Sequence, residues 1–148
     1  LAMLPSLREQ IIQRVIDRLL PVITAAGGIL RRQPGTPTER LQMPAFLLFP
    51  ESESVRRIND RTERELVLCL IALAAGSATE IPERITDGLI VAAHARLFAD
   101  VTLGGLALGL EEIDTDWRDD DAGLEMAALP VRYRITYRTF AHDLTLKG

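Results

Sequence analysis

The chain has 148 residues, 47% of them hydrophobic and 26% charged, with a formal net charge of −4 and an isoelectric point near 5.2. That length buries roughly two thirds of the unfolded surface, enough for one core, so a single domain over residues 1–148 is expected. The composition excludes a disordered or collagen-like chain. The acidic balance offers no field to gather nucleic acid phosphates or an anionic membrane surface, so neither specific nucleic acid binding nor a membrane partner is expected.

The longest apolar stretch, residues 66–75, is about half of the ~20 residues that a membrane-spanning helix needs. A lone cysteine, Cys69, closes no intramolecular disulfide, and its place in an apolar run suits a reducing compartment. No basic stretch followed by an apolar segment opens the chain, so no secretion signal is expected and cytosolic synthesis is the default.

Leu7, Ile11, Ile12, Val15, Ile16, Leu19, Val22 and Ile23 recur at helical spacing, with Arg8, Gln10, Gln13, Arg14 and Asp17 opposite. This predicts an amphipathic helix over residues 7–26, opened by a capping box between Ser6 and Glu9 and stopped at Gly27-Gly28. Pro21 cannot donate to the carbonyl of Asp17 and crowds that turn, which predicts a kink or an early end. Residues 28–33 suit a short strand, and residues 34–38 a turn or open loop. Pro44 and Pro50 bracket an aromatic and aliphatic strand over residues 45–49. Residues 51–64 are dense in charge and lack apolar periodicity beyond Val55 and Ile58, so they read as a long exposed loop.

From Leu66 to Ala75 the chain is apolar on both faces, a pattern shared by central strands and buried helices. A strand over residues 62–75 is preferred, because the start signal for a helix comes only after Gly76, with Pro82 in its first turn. That second helix covers residues 81–100 and buries Ile85, Leu89, Ala92, Ala93 and Leu97. Leu106, Leu108 and Leu110 then share one strand face, while Ile113, Thr115 and Trp117 take the other parity. The slip near Glu111-Glu112 predicts a β-bulge.

Residues 118–123 read as a turn. The returning strand changes parity from Leu124, Met126 and Ala128 to Val131, Tyr133, Ile135 and Tyr137, which predicts a second slip beside Pro130. The pair forms a long bent antiparallel hairpin with Arg132, Arg134, Thr136 and Arg138 facing away from the core. The expected class is α+β: a mainly antiparallel, mixed sheet of four to five strands with two helices packed on one face.

The familiar phosphate-loop, dinucleotide, zinc-protease and nucleophile-elbow motifs are absent. His94 and His142 are the only imidazoles, and His94, set among alanines on the second helix, reads as structural. Asp114, Asp116, Asp119, Asp120 and Asp121 lack the glycine and terminal glutamate of a calcium loop, so a solvated turn is favoured over a cation site. Glu111 and Glu112 point to opposite strand faces and form no obvious acid/base pair. No catalytic residue, cofactor or metal is therefore expected. The row Arg132, Arg134 and Arg138 suits either a solvated strand face or a protein interface. Tyr133 and Tyr137 share the parity of the core residues Val131 and Ile135.

Several segments resemble the tail terminator (tail-completion) and minor tail proteins of long-tailed bacteriophages. They are the helix over residues 85–100 (Ile85-Thr86-Asp87-Gly88-Leu89-Ile90-Val91-Ala92-Ala93-His94-Ala95-Arg96-Leu97-Phe98-Ala99-Asp100), the turn Thr102-Leu103-Gly104-Gly105-Leu106-Ala107, the segment Asp114-Thr115-Asp116-Trp117, and the closing Val131-Arg132-Tyr133-Arg134-Ile135-Thr136-Tyr137-Arg138-Thr139. The opening helix is similar in character.

The resemblance implies a non-enzymatic virion protein, made in the host bacterial cytoplasm and located in the virion tail. It implies a homo-hexameric ring that caps the tail tube, ends its polymerisation and presents the surface for the head-tail connector protein, with DNA passing through its lumen. Ring closure needs two different patches on each subunit. The candidates are Arg56, Arg57, Arg61 and Arg64 in the exposed loop and Arg132, Arg134 and Arg138 on the last strand. A head-completion or connector protein and a non-enzymatic adaptor domain are the alternatives.

Overall fold

The computed structural model describes residues 3–32, 43–117 and 126–148. The predicted turns at residues 34–38 and 118–123, together with Leu124 and Asp119 to Asp121, lie outside the described residues.

Helix α1 spans Leu7–Ala25 and starts as its sequence dictates, with the Ser6 side chain accepting from the Glu9 N–H at 3.1 Å. The Glu9 carboxylate is engaged elsewhere, by the Arg32 guanidinium. The helix passes through Pro21 instead of ending there. Pro21 and Asp17 both lie on the exposed side, where solvent is at hand for the freed carbonyl. The stop comes at Gly27, whose φ of +76° only glycine adopts cheaply. Gly28 N–H then reaches back to the Ile23 carbonyl at 2.8 Å.

Strand β1 (Ile29–Arg31) runs parallel to β2 (Ala45–Ile58). Strands β3 (Arg61–Ala75), β4 (Gly109–Thr115), β5 (Met126–Phe140) and β6 (Asp143–Lys147) complete a six-stranded sheet in the order β1-β2-β3-β5-β4, with β6 also paired to β5. Helix α2 spans Pro82–Phe98 between β3 and β4. The class is α+β, as expected. Ile11, Val15 and Leu19 of α1 and Leu89, Ala93 and Leu97 of α2 share one core with Phe46, Leu48, Leu66, Leu68, Leu70, Val131, Ile135 and Tyr137. Those strand residues alternate along β2, β3 and β5, so they belong to one face of the sheet.

The structure corrects five expectations. Residues 51–64 are not a loop: β2 continues to Ile58, β3 begins at Arg61, and Asn59 with φ +57° makes the turn. Charged side chains that pair across strands replace the missing apolar pattern, as Arg56 directly opposite Glu63 does. A register shift between Pro50 and Ser52 accommodates the proline. The slip expected beside Pro130 does not occur, because β5 pairs with β3 in one register from Met126 to Phe140. What changes along β5 is which face is apolar.

Strand β4 starts at Gly109, not Leu106. Ahead of it Leu103, Gly104 and Gly105 all have positive φ. The Asp100 carboxylate accepts from Thr102 N–H (3.1 Å), Thr102 Oγ1 (2.7 Å) and Gly104 N–H (2.8 Å), which holds its pKa down at about 2. Ala92 is exposed, and Thr86 takes its place in the buried stripe by donating its hydroxyl to the Glu83 carbonyl. Finally, β6 is a sixth strand beyond the four to five expected. The bulge expected near Glu111-Glu112 is present, as a register shift between Glu112 and Asp114.

Candidate functional site

Both helices pack on one face of the sheet, which leaves the other face to side chains of β2, β3, β4 and β5. On it the predicted arginines form three ionic rungs. At the hairpin end, Glu63 lies between Arg56 (2.8 Å) and Arg138 (3.1 Å). Hydrogen bonds from Arg138, then Arg56, hold the Glu63 pKa below the usual carboxylate range. In the middle, Arg134 is 2.6 Å from Glu111 and 3.6 Å from Glu65. At the far end, Arg132 makes a two-pronged contact with Asp114, both distances 2.7 Å, and a third with Glu51 at 2.9 Å. The Asp114 pKa is lowered by its hydrogen bonds from Arg132.

This pairing changes what the arginine row can do. Arg132 and Arg134 each face two carboxylates, so their rungs carry net negative charge and are poor sites for an anion. Only the Arg56–Glu63–Arg138 rung carries an excess of positive charge. Arg57 and Arg61 extend that basic character to the turn: Arg57 donates to the Asn59 carbonyl (2.8 Å), and Arg61 pairs with Asp60 (2.6 Å) beneath a 3.9 Å stack on Phe140.

Arg64 is drawn to the opposite, helix-covered side. Its side chain is 12% exposed and donates to Glu53 at 3.1 Å. Glu53 also accepts from Arg8 at 2.8 Å and from the Tyr137 hydroxyl. Burial pushes the Glu53 pKa up, but the hydrogen bonds from Arg8, Tyr137 and Arg64 outweigh it and the net shift is downward. Burial, and then Glu53, raise the Tyr137 hydroxyl above its ordinary range. This node joins α1, β2, β3 and β5, and it roots the β2–β3 hairpin. Sequence reasoning missed Glu53, Arg8 and Tyr137 as a group; a glutamate inside a charged stretch carries no signal that it is the buried one.

His94 stacks on Phe98 (4.3 Å between ring centroids), and its Nδ1 lies 3.0 Å from the Tyr133 hydroxyl and 3.4 Å from Glu112. Burial, then the neighbouring Glu112 charge, raises the Tyr133 pKa. One small cavity lies in the core, lined by Val15, Leu19, Leu70, Leu97 and Ile135 among others. Among the described residues no three His, Cys, Asp or Glu side chains converge as a metal site, and no helix is long and apolar enough to cross a membrane.

No protein-family description matches the chain, and no curated protein matches it. Among solved structures, one similar chain belongs to the "Virion of native gene transfer agent (GTA) particle", with 10% sequence identity and a TM-score of 0.43, over 84% of this chain and 92% of that one. A likeness at that level does not bear on function.

Proposed function

We propose that the chain is a virion assembly protein of the terminator kind: it closes as a homo-hexameric ring on the end of a tail tube, stops further addition of tube protein and presents the joining surface for the head-tail connector protein. The reading takes up the resemblance of the α2, β4 and β5 segments to tail terminator proteins. The observation that carries it is the β2–β3 hairpin, whose residues 54–60 are exposed on both faces while its base is fixed by the Glu53 node. A rooted, charge-patterned arm serves protein contact, because the ordering cost of binding is met in advance. Arg56, Arg57, Arg61, Arg64, Arg132, Arg134 and Arg138 are the interface arginines of this reading, with Arg64 acting from within through the arm's root. The protein belongs in this view to the virion tail, is made in the host bacterial cytoplasm, and is not an enzyme.

The test is tube assembly. A phage tail tube protein is polymerised with and without this chain, and tube lengths are measured by negative-stain microscopy. Shorter tubes carrying a ring at one end are expected; an unchanged length distribution with bare ends would overturn the capping role.

A further inference from the structure

The two long edges of the sheet carry opposite charge. Strand β1 covers the outer edge of β2 only over Ala45–Leu47, so from Leu48 onward that edge has no strand beside it among the described residues, β3 lying on the other side. The far part of that edge carries Arg56 and Arg57, with Arg61 just past the turn and Asp60 as the lone acid of the tip. Val55, 56% exposed, and Ile58 sit among them. The opposite edge is β4, which carries Glu111, Glu112 and Asp114 and no basic residue, and is followed by Asp116. Beside those acids stand the exposed apolar side chains Leu108 and Trp117, the latter 68% exposed. An exposed tryptophan next to carboxylates offers both an apolar surface and a face for a guanidinium.

We propose that these two edges meet between copies of the chain: the basic end of β2 in one copy seats along the acidic edge of β4 in the next, with Val55 and Ile58 against Trp117. The inference rests on the self-assembly part of the proposed function. It follows from charge complementarity, because the tip is basic on an otherwise acidic chain while the matching acids lie on the chain's own opposite edge. Two different patches on opposite edges give the head-to-tail contact that a closed ring requires, where a self-complementary patch would stop at a dimer. Among the described residues neither β4 nor β2 beyond Leu47 has a strand on its outer side, so strand addition reinforces the charge match.

The chain's single tryptophan makes the contact observable. Sedimentation velocity and Trp117 fluorescence are recorded together over a wide concentration range at low salt, for the wild type, for Arg56→Glu with Arg57→Glu, for Glu112→Lys with Asp116→Lys, and for an equimolar mixture of the two variants. Wild-type mass is expected to rise with concentration as Trp117 emission shifts to the blue. Each variant alone should associate at least about tenfold more weakly, which is the loss of 1.4 kcal/mol or more. The mixture should recover association, since each variant's reversed edge then matches the other's; recovery also shows that both variants fold.

Association of either variant at wild-type strength, or two cooperatively melting variants that fail to recover on mixing, overturns the edge pairing and leaves ring formation to some other surface. A wild type that stays monomeric throughout overturns it as well, while the capping role is judged separately by tube length. A tip reversal that leaves the mass unchanged but abolishes binding to tube protein assigns the arm to the tube and overturns the contact between copies.

Discussion

Glu53 holds the arm in place, and its environment fixes what its loss must do. Its side chain is 11% exposed and faces Arg64, itself 12% exposed, so Glu53→Gln keeps the shape but strands a nearly buried guanidinium. Removing one partner of a fully buried pair costs about 3–5 kcal/mol. Arg8, the other guanidinium, is 41% exposed and can turn to water, so a loss of about 2–3 kcal/mol is expected, read as a lower urea midpoint. Tyr137→Phe removes one hydrogen bond to a charged acceptor and should cost about 1.5 kcal/mol. Because both changes touch the same carboxylate, the double variant should lose less than the two single losses combined.

The same residue sets an acid limb. Its pKa is lowered from 4.5, so its contribution is present in full above that value and is lost as pH falls through the lower, folded value. Stability should therefore decline below about pH 4.5, and Glu53→Gln should make that decline shallower; an unchanged slope would mean that other carboxylates carry it.

At the scale of elements, two glycines predict opposite outcomes. A Cβ on Gly28 would lie 2.1 Å from the Pro44 carbonyl oxygen and 2.9 Å from Ile23 Cδ1, so backbone must move where α1 hands the chain to β1. Gly28→Ala should lose on the order of 2–3 kcal/mol. Gly88, inside α2, has nothing within 4 Å of the corresponding position, and Gly88→Ala should gain about 0.5–1 kcal/mol through helix propensity alone. Thermal melts of the two variants should move in opposite directions. Elements marked by apolar periodicity or by flanking start and stop signals were legible in the sequence: α1 with its cap and the β4 bulge, where the parity of Leu110 and Ile113 changes, by the first, and β3 by the second. The arm was not, because its strands are held by pairs such as Arg56 with Glu63 and Arg64 with Glu53, which involve no alternation of apolar residues. Strand β6, with Leu144 and Leu146 both exposed, buries too little to leave a pattern. In β5 apolar residues on the uncovered face imitated a slip.

For the whole molecule, the α+β class followed from counting amphipathic stripes, whereas the surface did not follow, since which arginines are neutralised depends on register. Arg132 and Arg138 look alike in sequence, yet one meets two carboxylates and the other shares one with Arg56. That difference turns a uniform basic row into a surface with an acidic and a basic end. Such a surface predicts how salt separates assembly from stability. The edge charges are exposed, so raising salt from about 0.1 M to 1 M shortens the screening length from about 10 Å to 3 Å and weakens their attraction across a contact. Folding rests on the apolar core and on the Glu53 node, which is shielded, while the rungs are open to solvent and screened, so they contribute little to it. Association measured by sedimentation should therefore fall by tenfold or more over that range, while the melting temperature of the same samples moves little. If association instead strengthens with salt, the apolar contacts of Val55, Ile58 and Trp117 govern the joint, and charge does not select the partner edge.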